Sequence, residues 1–213
     1  MIDTSKKFLV AGAGKSGIGS VNLLLKTGAD VSLYDGNEEL DKEALFEKLY
    51  EKKEISLVLG NITKEDIEKY DLLVLSPGIS VNAPIAQMFY DQEKPVWSEI
   101  ELAYQASKGK IAAITGTNGK TTTTALTGEI MKGYYESSFV VGNIGIPYTS
   151  VALDTQENSV ITAEISSFQL ETIVDFKPDV CAVLNITPDH LDRHGTVEVY
   201  AKTKESIGKN QTK

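Results

Sequence analysis

The chain has 213 residues, a single cysteine and a formal net charge of −9. That length can bury a substantial core, in one large domain or two small ones. The acidic balance leaves no basic face for nucleic acid or for an anionic membrane surface. Cys181 lies in the apolar run DVCAVLNI and reads as a small core residue of a reducing compartment. No segment approaches the roughly 20 apolar residues of a membrane span. The apolar patch near the N-terminus is interrupted by Gly12, Gly14, Lys15 and Gly17, too soon for a signal sequence. A cytoplasmic protein with no nucleic-acid or membrane partner is expected.

Taken in chain order, short apolar runs alternate with helical stretches. Strands are predicted at residues 8–11, 30–34, 55–59 and 72–76, with helices at 17–26, 42–52, 63–69, 83–90 and 99–106. Further strands are predicted at 111–115, 138–141, 159–164 and 180–186, with helices at 120–132 and 197–207. Apolar runs without alternation belong to strands covered on both faces, so the fold class is α/β with parallel sheets. A glycine loop of phosphate-binding type follows a strand twice, near residue 12 and near residue 116. Pro95 punctuates the stretch 92–97. The chain therefore divides into units 1–97 and 98–213. It ends in the polar turn GKNQTK, so the second unit has only four strands behind its loop and is either compact or cut short.

The stretch IAAITGTNGKTTTT at 111–124 is the most informative. An apolar strand runs into Gly116-Thr117-Asn118-Gly119-Lys120-Thr121-Thr122 and then a polar helix start. Glycines let successive N–H groups point at phosphate oxygens, and the helix adds the positive end of its dipole. Lys120 can reach the outer phosphates, and the Thr121 hydroxyl can ligate a phosphate-bound Mg²⁺. The spacing departs from GxxxxGK[ST], which would need glycine at Ile114. A plain glycine turn explains neither the lysine's place nor the threonine run, so a nucleotide-phosphate site is expected.

The first unit opens with Gly12-Ala13-Gly14-Lys15-Ser16-Gly17, a literal GxGxxG, and Asp35 ends the next strand. Three readings stay open: NAD with Asp35 on a ribose hydroxyl, another pyrophosphate such as a UDP-sugar, or glycines used only for close helix packing. Ser76-Pro77-Gly78-Ile79 ends another strand on the same edge. In the second unit, Gly142-Asn143-Ile144-Gly145, Glu164-Ile165-Ser166-Ser167-Phe168-Gln169 and the segment 185–194 each close a strand. If those strands are parallel, all three clusters surround the phosphates. Glu164 alone reads as a solvated carboxylate and His190 alone as a loop histidine held by Asp189 or Asp192. Their joint placement favours a metal and phosphate site.

The motifs TGTNGKTT, GNIG, EISSFQLE and LNITPDHLDRH, in that order, resemble the Mur ligases of bacterial cell-wall synthesis. SSFQLE is of the type found where D-glutamate is added to UDP-N-acetylmuramoyl-L-alanine, and GAGKSG and SPGI fit the N-terminal domain of that branch. The resemblance covers essentially the whole chain. It implies a Rossmann-like N-terminal domain binding the UDP-substrate, followed by a truncated P-loop ATPase-type central domain. The rest of the central domain and a C-terminal domain are expected to be missing, the chain alone inactive, and the complete enzyme a monomer.

The resemblance also implies site roles. Lys15, Ser16, Asp35, Gly36 and Gly78 would lie near uridine and diphosphate. Asn143, Ser166, Gln169 and His190 would face the muramoyl-alanine part. Lys120 would hold the ATP phosphates, while Thr121 and Glu164 hold one Mg²⁺. His190 would serve a second Mg²⁺ beside a carbamylated lysine, Lys204, with Lys202 as the competing assignment. No NAD is implied. The chemistry suited to such a set is ATP-driven activation of a carboxylate as an acyl phosphate, then attack by an amine.

Overall fold

The computed structural model describes residues 2–143 and 145–212; Ile144 of the GNIG motif therefore lies outside the described residues. Two all-parallel sheets form, in the orders β3-β2-β1-β4-β5 and β7-β8-β6-β9. The first comprises β1 (Lys7–Ala11), β2 (Asp30–Asp35), β3 (Ser56–Leu59), β4 (Leu72–Leu75) and β5 (Val96–Ser98). The second comprises β6 (Lys110–Thr115), β7 (Ser138–Gly142), β8 (Val160–Glu164) and β9 (Val180–Val183). Central strands are largely apolar because helices cover both faces: every residue of β4 is buried, and only Lys7 of β1 is exposed. The edge strands β3 and β9 are less covered.

Strand order reverses beside β1 in the first sheet and beside β6 in the second. A glycine loop leaves the carboxyl end of each, where open parallel sheets leave a crevice. Helix α1 (Lys15–Thr27) follows the first loop and α6 (Lys120–Lys132) the second. The remaining helices are α2 (Lys42–Phe46), α3 (Lys64–Ile67), α4 (Pro84–Asp91), α5 (Glu99–Ala106), α7 (Ser167–Leu170), α8 (Leu191–His194) and α9 (Val197–Glu205).

One apolar core runs through both units, joining Val10, Leu24 and Ile100 to Tyr148 and Ile161. Its seam is α1 against a short 3₁₀ turn, Tyr148–Ser150, where a Cβ on Gly19 would stand 2.5 Å from Thr149 Oγ1. Fully buried Tyr148 shares a hydrogen bond with Ser107 Oγ at 2.6 Å, so the phenol enters the core with its polar end satisfied. The buried Glu101 carboxylate accepts N–H groups from Val174, Asp175 and Phe176, tying α5 to the segment that precedes β9 within the second unit. A smaller cluster, including Leu9, Leu73 and Phe89, fills the other face of the first sheet. Among the described residues no helix is long and apolar enough to cross a membrane.

Most predicted elements form within a residue or two of their expected bounds. Three do not. The helix expected at 42–52 ends at Phe46 and resumes as a 3₁₀ turn, Tyr50–Lys52, with Glu51 and Lys52 at φ 54° and 51°. The strand expected at 180–186 stops at Val183, because the next residues turn to hold the phosphate loop. The stretch ending at Trp97 supplies a fifth strand, β5, in register with Leu73–Leu75.

Candidate active site

The loop after β6 is shaped by glycine and clamped from a neighbouring strand end. Gly119 sits at φ +81° as the residue capping α6, a left-handed conformation that a side chain would strain. Thr117 N–H donates to the Asn185 carbonyl at 3.0 Å, and Asn118 N–H donates to Asn185 Oδ1 at 2.9 Å. Asn185 Nδ2 returns a bond to the Asn118 carbonyl, and Thr187 N–H donates to Thr117 Oγ1. Two amides expected to face phosphate are thus engaged in holding the loop. The donors left for an anion are the first-turn N–H groups of α6, at Lys120, Thr121 and Thr122, which have no helical acceptor by geometry. Lys120 Nζ lies over the loop, donating to the Thr117 carbonyl at 2.8 Å.

Glu164 ends β8 beside this loop. It is 1% exposed; its Oε2 accepts from the Thr121 hydroxyl at 2.9 Å and its Oε1 from Asn143 Nδ2 at 2.8 Å. Both donors are neutral, and Glu164 has no ion-pair partner among the described residues. Such a carboxylate fits a hard cation. Among the described residues no group of three or more His, Cys, Asp or Glu side chains could hold a metal by itself. A fit therefore depends on Glu164 with the Thr121 hydroxyl and on what Lys204 can become.

Lys204 is buried from its position on α9. Its Nζ donates to the Gly116 carbonyl at 2.8 Å and lies 4.7 Å from the centre of the Tyr200 ring. Burial, then the nearby Lys120 charge, pulls its pKa down from 10.5 to about 8. Lys202, the competing assignment, is exposed and lines a shallow groove with Leu170, Glu171 and Lys209 on another side of α9. His190 is half exposed at φ +50°; its Nε2 lies 3.6 Å from Asp189 Oδ2 and its ring 4.8 Å from that of Phe168. Lys120, Asn143, Ser166, His190, Tyr200 and Lys204 all line one cavity of about 210 Å³.

A larger crevice of about 480 Å³ opens along the carboxyl edge of the first sheet. Gly12 to Ser16, Asp35, Gly36 and Ser76 to Ile79 form its first-unit walls, and Gly142, Asn143 and Gln169 its second-unit wall. Gly17 brings α1 against the loop: a Cβ there would lie 1.7 Å from the Gly12 carbonyl oxygen, so no other residue fits without displacing backbone. Asp35 is already busy, accepting Ala13 N–H on Oδ2 at 2.8 Å and Asn37 N–H on Oδ1 at 2.9 Å. It ties the two turns of the crevice together and keeps spare lone pairs for a ligand hydroxyl. Asn143 lines both the crevice and the smaller cavity, so the two share a wall.

Gln169 borders the crevice with its amide already bonded once on each atom. Oε1 caps Ser166 N–H, and Nε2 donates to buried Glu99 Oε1 at 2.7 Å. Ser166 in turn caps α7. Asn185, Glu171, Arg193 and His194 organise the site, although the sequence assigned none of them an individual role. His194 Nε2 meets Ser167 Oγ at 3.0 Å, and burial holds the imidazole pKa below its usual value. All four lie within EISSFQLE or LNITPDHLDRH, the motifs that close β8 and β9 on the ligand edge.

Two family descriptions match this chain: the Mur ligase MurD-like N-terminal domain over residues 6–98 and the Mur ligase middle domain over 114–213. The chain belongs to the Mur ligase family. It is 57% identical over 209 residues to the UDP-N-acetylmuramoylalanine–D-glutamate ligase of Lachnospira eligens, covering 98% of this chain and 46% of that protein. The enzyme of the same name from Lachnoclostridium phytofermentans is 55% identical over 208 residues, again 98% of this chain and 46% of the relative. The chain thus spans about half the length of the curated relatives it matches. Among solved structures, UDP-N-acetylmuramate-alanine ligase from Thermotoga maritima superposes with a TM-score of 0.55 at 23% identity, covering 96% of this chain and 47% of that one. That likeness concerns the fold.

Proposed function

We propose that this chain supplies the nucleotide-sugar and ATP sites of a cytoplasmic ligase that joins D-glutamate to UDP-N-acetylmuramoyl-L-alanine in peptidoglycan synthesis. Residues 1–97 would bind the UDP part and residues 98–213 the ATP. The observation that carries this reading is the shared wall at Asn143 between the crevice and the cavity holding Lys120, His190 and Lys204. A substrate anchored by its diphosphate at the α1 N-terminus, near Lys15, Ser16, Gly36 and Gly78, would extend past Asn143 towards the phosphate loop. No residue of this chain is assigned to D-glutamate, and the 213-residue polypeptide alone is proposed to bind without ligating.

The reaction needs the substrate carboxylate to attack the γ-phosphorus of ATP, releasing ADP and leaving an acyl phosphate. The D-glutamate amine then attacks the acyl carbon, phosphate departs and the amide remains. Both partners of the first step are anionic. Lys120 and the first-turn amides of α6 would stabilise charge on the transferring phosphoryl oxygens, a positioning and electrostatic role. Thr121 and Glu164 are the residues that would hold one Mg²⁺, and His190 with Lys204 a second; Mg²⁺ supplies charge neutralisation between the two reactants. Lys204 would serve as an anion. Its lowered pKa leaves an appreciable neutral amine fraction near pH 8, and a neutral amine can add CO₂ to become a carbamate.

Titration calorimetry on the 213-residue chain tests the reading, with UDP, UDP-N-acetylmuramoyl-L-alanine, NAD and NADP as ligands. Saturable binding of both UDP compounds and none of either dinucleotide is expected. NAD binding without a response to the UDP compounds would overturn it.

A further inference from the structure

Arg193 reaches from the phosphate side of the molecule to the far wall of the crevice. Its Nη1 donates to the Pro77 carbonyl at 2.8 Å and its Nη2 to the Ile79 carbonyl at 3.0 Å, across more than a hundred residues of sequence. On its other edge, Nε donates to Glu171 Oε1 at 3.2 Å, and Nη2 is also bonded to Glu171 Oε2. The guanidinium carbon stands 4.2 Å from the centre of the Phe168 ring. Both charged side chains are close to 10% exposed, at 11% for Arg193 and 10% for Glu171.

What Arg193 holds is the segment Pro77–Ile79, which walls the crevice just after β4 has ended at Leu75. Beyond the strand this segment has one local turn bond, Ile79 N–H to the Ser76 carbonyl at 2.9 Å. Among the described residues, Arg193 is the donor to the Pro77 and Ile79 carbonyls. The opposite end of the linkage is equally fixed: Arg193 lies on α8, the turn that His190 opens, and Phe168 packs on His190 as well as on Arg193. Arg193 thus ties the crevice wall to the turn that His190 opens.

We propose that Arg193 is a positioning residue, braced by Glu171, that sets the 77–79 wall of the crevice for its ligand. A planar fork with fixed donor directions is required, because two carbonyls and a carboxylate are engaged at once. A lysine ammonium, a point charge on a flexible stem, cannot meet all three. The identity of the ligand rests on the function proposed above; the brace itself rests on geometry alone.

The test compares the wild-type chain with Arg193→Met, Arg193→Lys and Glu171→Gln. Amide hydrogen exchange is followed over residues 76–81 without ligand, and dissociation constants are measured for UDP-N-acetylmuramoyl-L-alanine and for ADP. Arg193→Met and Arg193→Lys are expected to speed exchange selectively in 76–81. Both should weaken the UDP ligand by about tenfold or more, the equivalent of ~1.4 kcal/mol, and leave ADP affinity unchanged. Glu171→Gln, which keeps the fork near the carbonyls, should give a smaller loss of the same kind. Arg193→Lys carries the test if Arg193→Met does not fold. Unchanged exchange in 76–81 in a folded Arg193 variant would overturn the proposal, as would equal loss of both ligands. A wild-type chain that fails to bind the UDP ligand would instead overturn the proposed function, with the exchange comparison still deciding the brace.

Discussion

Glu99 is an acid placed where its charge is costly. It opens α5, is 2% exposed, and receives one hydrogen bond, from Gln169 Nε2 on Oε1; Oε2 has no partner among the described residues. Burial pushes its pKa from 4.5 up to about 7, the Gln169 bond offsetting part of the rise. The folded form therefore holds the proton more tightly than the unfolded chain does. The stabilisation is complete below pH 4.5 and is lost as pH rises through 7. At ~1.36 kcal/mol per pH unit of displacement, the full loss is about 3 kcal/mol, of which about 2 kcal/mol falls between pH 5.5 and pH 8. Glu99→Gln mimics the protonated acid and cannot titrate. Urea unfolding of both proteins, followed by circular dichroism, should show the variant gaining about 2 kcal/mol on the wild type over that interval. Taking the difference cancels other groups, including His194, whose lowered pKa makes stability fall as pH drops through its own window. A difference that stays flat from pH 5.5 to pH 8 would refute the reasoning.

Lys120→Ala should weaken ADP and ATP binding by about 1.5–3 kcal/mol, the value of a charge-assisted contact, while UDP binding measured by calorimetry stays intact. Gly17→Ala should destabilise the chain by at least ~1–3 kcal/mol, because the new methyl meets the Gly12 carbonyl. Gly14→Ala, whose Cβ would meet nothing within 4 Å, should stay within about 0.5 kcal/mol of wild type in the same urea titration. In a chimera joining this chain to the remaining part of the Lachnospira eligens relative, Lys204→Ala should abolish ligation, and short-chain carboxylic acids should restore part of it. Lys202→Ala should keep activity; the reverse pattern would move the carbamate to the other lysine.

The parallel α/β architecture was legible because strands covered on both faces need unbroken apolar runs, as in FLVA and LLVL, and such runs are hard to mistake. Val96–Ser98 was not legible because three residues after a proline carry no pattern; it is pairing with Leu73–Leu75 that makes them a strand. The helix expected to Lys52 had adequate propensity, yet Asn22 of α1 takes up the Tyr50 N–H and the Lys48 carbonyl, drawing that segment out of helical geometry. In the site, glycine loops and Lys120 announce themselves locally. The contacts that hold them do not. Asn185 with Asn118, Glu101 with Phe176, and Arg193 with Pro77 each join residues 67 to 116 positions apart, and only the folded topology brings them together.

The chimera also offers the most direct test of the proposed function. Purified and supplied with ATP, Mg²⁺, UDP-N-acetylmuramoyl-L-alanine and D-glutamate, it can be assayed for amide formation and phosphate release together. One phosphate should be released for each amide formed, with both lost together in Lys120→Ala. A folded chimera that binds both nucleotides yet forms no amide, or that forms amide equally well without Lys120, would contradict it.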